Sequence, residues 1–138
     1  MSTPCSIIVP NGNKYRWIYV HYDGTPDRVG VTLYCNYKTD EKVNMLISLG
    51  ALSSLGREIG EKVDFDKTDA YETGSQCVAY FRDDDQDLEI NESSSLNDAC
   101  PFEFAYLWQN GKWIYYHNRR KSDLTKNKDF IRGLSHNK

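Results

Sequence analysis

The sequence predicts an α+β domain: an antiparallel sheet built from two Asn-Gly hairpins plus one or two further strands, with two to three short helices packed on one face. Three observations carry this reading. Asn11-Gly12 and Asn110-Gly111 each stand between arms rich in β-branched and aromatic residues. Asn-Gly suits a type I′ turn, whose two central residues both need positive φ. Between the hairpins, apolar residues recur at helical spacing behind N-terminal capping signals. Finally, a length of 138 residues suits one domain, and ten Tyr and three Trp supply large rings to a core in which hydrophobic residues are only 39% of the chain.

The first hairpin spans Ile7 to His21, with Tyr15, Trp17 and Tyr19 alternating onto one face of its second arm. Thr25-Pro26-Asp27 then combines a capping hydroxyl, a proline at the first helical position and an acid in the first turn, and Val29, Leu33 and Tyr37 follow at helical spacing. A second helix is predicted from Thr39 or Asp40, with Val43, Leu46 and Ile47 on its buried side and Gly50 just past its end. Ser53 to Gly60 reads as a short third helical turn, and residues 61–75 read as loop. Cys77 to Phe81 is predicted as a strand, Leu88 to Ile90 as a shorter one, and Asn91 to Asp98 as a Ser/Asn-rich loop. The second hairpin runs from Phe102 to Tyr116, with Phe102, Phe104, Tyr106 and Trp108 alternating. We therefore place the α+β domain in residues 1–118. Residues 119–138 form a basic C-terminal tail that is either partly helical, around Leu124 to Leu134, or disordered.

The formal net charge of −3 conceals opposed blocks. Residues 1–57 carry +2, residues 58–103 carry −11 and residues 104–138 carry +6. The densest acidic run is Asp83, Asp84, Asp85, Asp87 and Glu89. Alternating acids suggest a calcium loop, but an EF-hand-type loop starting at Asp83 requires Gly and Glu where Leu88 and Ser94 stand. The four cysteines, Cys5, Cys35, Cys77 and Cys100, form no C-x-x-C pair and read as reduced, mostly buried thiols. No metal and no cofactor are predicted. The acidic run reads either as a solvated turn between two strands or as a surface for a basic partner, docked with relief of like-charge repulsion.

Two other constellations could carry chemistry. His21 and Asp23 stand two apart where the first hairpin ends, the spacing of an acid–base pair or of an ordinary turn. The aromatic residues Tyr15, Trp17, Tyr19, Tyr106, Trp108 and Tyr115 read either as the core itself, in a chain poor in aliphatics, or as a sheet that could stack a nucleobase, with Arg16, Arg28 or Arg82 for phosphate. This gives Arg16, Trp17, His21, Asp23, Arg28 and Arg82 as an alternative ligand-binding set. No nucleophile elbow, zinc-protease motif or phosphate-binding glycine loop occurs, so no catalytic residue is assigned.

Residues 15–60 resemble a family of small phage and prophage accessory proteins. The residues that carry it are Ile18-Tyr19-Val20-His21-Tyr22-Asp23-Gly24-Thr25-Pro26 and, further on, Glu41-Lys42-Val43 with Leu46-Ile47-Ser48-Leu49-Gly50 and Ser53-Ser54-Leu55-Gly56. They match I-Y-x-H-x-D-G-x-P and E-K-V-x-x-L-I-x-L-G-x-x-S-S-L-G. Tyr80-Phe81-Arg82-Asp83 is similar to a later Y-x-R-D segment, although Asp84-Asp85-Gln86 follows where the family often has Arg-Gly-Glu. The resemblance implies a phage origin, no known cofactor and no assigned catalytic residues; with no apolar run of membrane-spanning length and no signal-peptide pattern, the chain is expected in the host bacterial cytoplasm.

Three functions are then expected in descending order. The first is an anti-defence protein of anti-CRISPR type, a stoichiometric inhibitor holding a host defence protein, such as a CRISPR effector subunit, through Asp83, Asp84, Asp85, Asp87 and Glu89. The second is a binding protein that sequesters a nucleotide immune signal on the aromatic sheet. The third is a small hydrolase using His21 and Asp23. No membrane partner is expected, because no apolar run approaches the roughly 18 residues of a span and the N-terminus lacks a signal-peptide pattern.

Overall fold

The computed structural model describes residues 3–59, 77–79 and 90–136. Strands β1 (Cys5–Asn11) and β2 (Lys14–Val20) make the first hairpin, in register from Cys5↔Val20 to Asn11↔Lys14. Its two-residue loop is therefore Gly12-Asn13, one position later than the Asn-Gly reading. Only Gly12 has positive φ, at +62°, the pattern of a type II′ turn. Proline explains the shift. A turn on Asn11-Gly12 would make Pro10 the hydrogen-bonded residue closing the hairpin, and proline has no N–H to give. The observed register instead sets Pro10 opposite Tyr15, a non-hydrogen-bonded position.

The second hairpin forms on the predicted turn. β6 (Phe104–Gln109) and β7 (Lys112–His117) pair from Phe104↔His117 to Gln109↔Lys112. Asn110 and Gly111 both have positive φ, +56° and +74°, as type I′ requires.

The two hairpins join through a parallel pairing of β1 with β6, Cys5↔Phe104 to Ile8↔Leu107, so the sheet is mixed, where the sequence reading had it antiparallel. β2 is flanked on its other edge by two short strands. β3 (Leu52–Ser54) runs parallel to it at Val20↔Leu52, and β5 (Asn91–Ser93) runs antiparallel at Tyr15↔Ser93 to Trp17↔Asn91. β4 (Val78–Ala79) pairs with β3, and β8 (Arg120–Ser122) pairs with β7. The described order is β4-β3-β2-β1-β6-β7-β8 with β5 beside β2.

Two of these strands correct sequence expectations. Leu52–Ser54, partly inside the predicted third helical turn, is extended because His21 N–H donates to Leu52 O at 2.9 Å and Tyr22 N–H to Ser53 O at 3.0 Å; tertiary pairing overrides a weak local preference. Asn91–Ser93 was expected as loop. It is held as a strand by Trp17, whose Nε1 donates to Ser93 Oγ at 2.9 Å, and by Asn11, whose Nδ2 donates to Glu92 Oε2 at 3.0 Å.

Helices cover one face, as predicted. A π-helical turn (Pro26–Gly30) leads into α1 (Val31–Asn36). Thr25 does not cap it: its hydroxyl donates to Asp27 Oδ1 at 2.6 Å instead. α2 (Asp40–Ser48) follows the prediction closely. Thr39 Oγ1 accepts from Lys42 N–H, Val43, Leu46 and Ile47 are buried, and Gly50 adopts φ +75° beyond the end. Against these pack Ile7, Val9, Ile18, Val20, Tyr106, Trp108 and Tyr115 of the sheet. The opposite pleat buries Ile8, Ala105 and Leu107 under Ala99 and Cys100, and buried Ser6 donates from Oγ to Ala99 O at 2.7 Å.

The basic segment after residue 118 is built into the same core. Asn118 and Arg119 turn with φ +51° and +68°. Asn118 N–H donates to Glu103 O at 2.8 Å, and Arg119 Nε donates to Cys100 O at 3.1 Å. A 3-10 turn (Leu124–Lys126) and α3 (Lys128–His136) then return the chain over the π-helical turn, burying Leu124 and Phe130. The helices touch at Gly133, where a Cβ would lie 2.5 Å from Asp27 O and 2.7 Å from Asp27 Cα. Of the cysteines, Cys5, Cys77 and Cys100 are buried, Cys35 is half-buried, and all four are free thiols. No helix among the described residues is long and apolar enough to cross a membrane.

Candidate ligand-binding cleft

Register places the aromatic residues on two faces, not one. Tyr19 and Trp17 pair with Ser6 and Ile8, whereas Tyr106, Trp108 and Tyr115 share the helix-covered face with Ile7 and Val9. The single stacking platform expected from both stripes therefore does not form. Tyr106 and Tyr115 are core residues, 0% and 2% exposed, with rings stacked 5.5 Å apart. Burial pushes both phenols above their usual range.

The predicted ligand residues scatter accordingly. Trp17 lies on the face away from the helices, in a cluster where Phe102 meets Trp17 at 6.4 Å and Tyr19 at 5.3 Å. Arg16 faces the opposite way, opposite Val9. His21 Nδ1 is bonded to the Tyr19 hydroxyl, and no hydrogen bond joins it to Asp23 among the described residues. Asp23 is exposed at φ +62°, its carbonyl accepting from Val29 N–H at 3.1 Å, which makes it a turn residue. Arg28 is exposed on the π-helical turn. Arg82, Asp83, Asp84, Asp85, Asp87 and Glu89 lie outside the described residues. Among the described residues no group of three or more His, Cys, Asp or Glu could hold a metal ion.

What the fold does assemble is a cleft of about 610 Å³ on the helix side of the second hairpin, within the usual range for small-molecule sites. Its walls are Trp108 and Trp113, directly opposed across β6 and β7, with ring centroids 5.1 Å apart. Each indole is anchored. Trp108 Nε1 donates to Asp40 Oδ1 at 2.7 Å, at the start of α2, and Trp113 Nε1 donates to Tyr37 O at 2.8 Å, at the end of α1. Tyr34, 42% exposed, closes another side, its ring set edge-on to Phe130 at 5.2 Å. Trp108 is only 6% exposed and its ring is inclined 56° to that of Trp113, so half-buried Trp113 and exposed Tyr34 supply most of the aromatic surface open to a ligand.

The polar groups of the cleft are few. Lys38 and Lys112 are exposed at its rim and make no ion pair among the described residues. Asp123 faces it from the carboxyl end of β8. Thr125 donates to Asp123 Oδ1 from both its hydroxyl, at 2.6 Å, and its N–H, at 3.0 Å. The hydroxyl bond chiefly holds this carboxyl below the usual carboxylate range, so it is ionised at neutral pH with Oδ2 left to accept. Two cations, one anion and a pair of indoles suit a planar, anionic ligand bearing a hydrogen-bond donor. Sequence reading named Trp108 for nucleobase stacking but did not bring Tyr34, Lys38, Trp113 or Asp123 to it. A signal was present for Trp113: a two-residue turn at Asn110-Gly111 forces residues 108 and 113 to face each other. No protein-family model, curated protein or solved structure matches this chain.

Proposed function

We propose that this protein acts by binding, holding a nucleotide-type ligand in the Trp108–Trp113 cleft and so withdrawing it from solution. The observation that carries this reading is the meeting of neighbouring, anchored indoles with Lys38 and Lys112, which make no ion pair among the described residues, in one cleft of about 610 Å³. The base stacks on an indole, the lysines take the phosphate charge, and Asp123 Oδ2 accepts from an amine or ribose hydroxyl. With the phage resemblance of residues 15–60, the ligand class fits a nucleotide immune signal and the role fits anti-defence. Thermal unfolding with mononucleotides, cyclic nucleotides and ADP-ribose-type compounds tests it. At a hundredfold excess over Kd the true ligand adds about 2.7 kcal/mol, a shift of several degrees. No shift with any of them contradicts the reading.

A second reading rests on charge alone: the −11 block of residues 58–103 supports an inhibitor that docks Asp83, Asp84, Asp85, Asp87 and Glu89 on a cationic channel of a host defence protein. Reversing these five charges should abolish capture of that target while the fold persists by circular dichroism. Capture at unchanged affinity contradicts it.

A further inference from the structure

Resting on the cleft as a nucleotide site, we propose that its ligand is a single-stranded nucleic acid, whose chain passes Trp113 and continues over the β7–β8 edge of the sheet. The cleft does not stop at Trp113. A second hollow of about 320 Å³ lies beyond it, lined by Trp113, Ile114, Lys121, Ser122, Asp123 and Leu124. Trp113 and Asp123 line both hollows; Lys121 pairs with Tyr116 on the pleat away from Trp113, so a chain that reaches both rounds the β8 edge.

Charge follows that path. β8 is the last strand of the described order, and Arg120, Lys121 and Ser122 are all exposed. Residues 104–138 carry +6 in a chain whose total is −3. Lys38, Lys112 and Lys121 make no ion pair among the described residues, and the one carboxylate common to both hollows has Oδ1 committed to Thr125. A mononucleotide engages Lys38 and Lys112 and leaves Lys121 idle; a strand engages all three. The pattern of an aromatic wall for one base and successive cations for the backbone is that of sequence-tolerant single-strand binding. A duplex is expected to bind less tightly, because bases already stacked and paired offer no face to Trp113.

Fluorescence anisotropy of a labelled 12-nucleotide single strand, in competition with the matching mononucleotide and duplex, tests the inference. The strand is expected to bind at least about tenfold tighter than the mononucleotide, the charge-assisted phosphate contact added at Lys121 being worth that much. The slope of log K against log salt should be about −2, from roughly −0.7 per phosphate contact. K121E should remove most of the strand's advantage and flatten the slope. A strand that binds no tighter than a mononucleotide that does bind overturns the inference and leaves the cleft reading standing. A duplex bound as tightly as the strand, or a slope near zero, also overturns it. Binding of neither strand nor mononucleotide overturns both.

Discussion

Replacing Phe130 with alanine is expected to lower the unfolding free energy by about 3–5 kcal/mol, the usual cost of deleting a fully buried phenyl ring. Phe130 is 1% exposed, although it lies in a segment whose composition reads as a polar tail. Its N–H donates to Asn127 Oδ1 at 3.1 Å, fixing the first turn of α3, and its ring meets Tyr34 edge-on at 5.2 Å. The same helix is clamped to the π-helical turn at Gly133, where no Cβ fits over Asp27. Loss of the ring therefore opens a void inside the common core. A domain of this size has about 5–15 kcal/mol in total, so the variant should be near the limit of stability. Urea unfolding followed by tryptophan fluorescence and by circular dichroism should give one cooperative transition, moved to lower urea with its slope kept. An unchanged midpoint would mean that the helix unfolds separately from the sheet.

Tyr106 is the second position of large effect, and its two parts can be separated. The ring fills the centre of the helix-covered face, while the hydroxyl donates to Gly24 O at 2.8 Å. Gly24 is where the chain leaves the first hairpin, and it has no room: a Cβ there would lie 2.6 Å from Thr3 O, the atom to which Gly24 N–H donates at 2.7 Å. Tyr106→Phe leaves that buried carbonyl without its donor and should cost about 1–3 kcal/mol. Tyr106→Ala adds a cavity and should bring the total to about 3–5 kcal/mol or more. Equilibrium unfolding of both variants checks this. A phenylalanine variant as stable as the parent would show that the Gly24 contact contributes nothing.

The α+β class, the second hairpin and α2 were legible because their signals are local: two adjacent positive-φ residues at Asn110-Gly111, and a Thr39 cap ahead of Val43, Leu46 and Ile47. Elements that depend on a distant partner were not. Leu52–Ser54 is a strand only because β2 ends beside it, and Asn91–Ser93 only because Trp17 and Asn11 reach it. The turn before β8 was hidden by its residues, since Asn118 and Arg119 are held at positive φ by Glu103 and Cys100, not by glycine. Even a local signal was misplaced by one residue at Asn11-Gly12, where the missing N–H of Pro10 set the register. The candidate cleft was half legible. Alternation showed the aromatic stripes, but the parallel β1–β6 pairing that sends Trp17 and Trp108 to opposite faces joins residues about a hundred positions apart. Tyr34, Lys38 and Asp123 come to the cleft from α1, the residues after it and the return of β8, none of which the hairpin pattern foretells.

The binding role assigned to the cleft is tested most directly by titration calorimetry of the intact protein with nucleotides, alongside a Trp113→Ala variant shown by circular dichroism to be folded. The cleft reading predicts saturable binding of at least one nucleotide at one site per chain, weakened about tenfold or more in the variant, in line with about 1–3 kcal/mol for one stacked base. Saturable binding that Trp113→Ala leaves unchanged, or no heat of binding with any nucleotide, would contradict it.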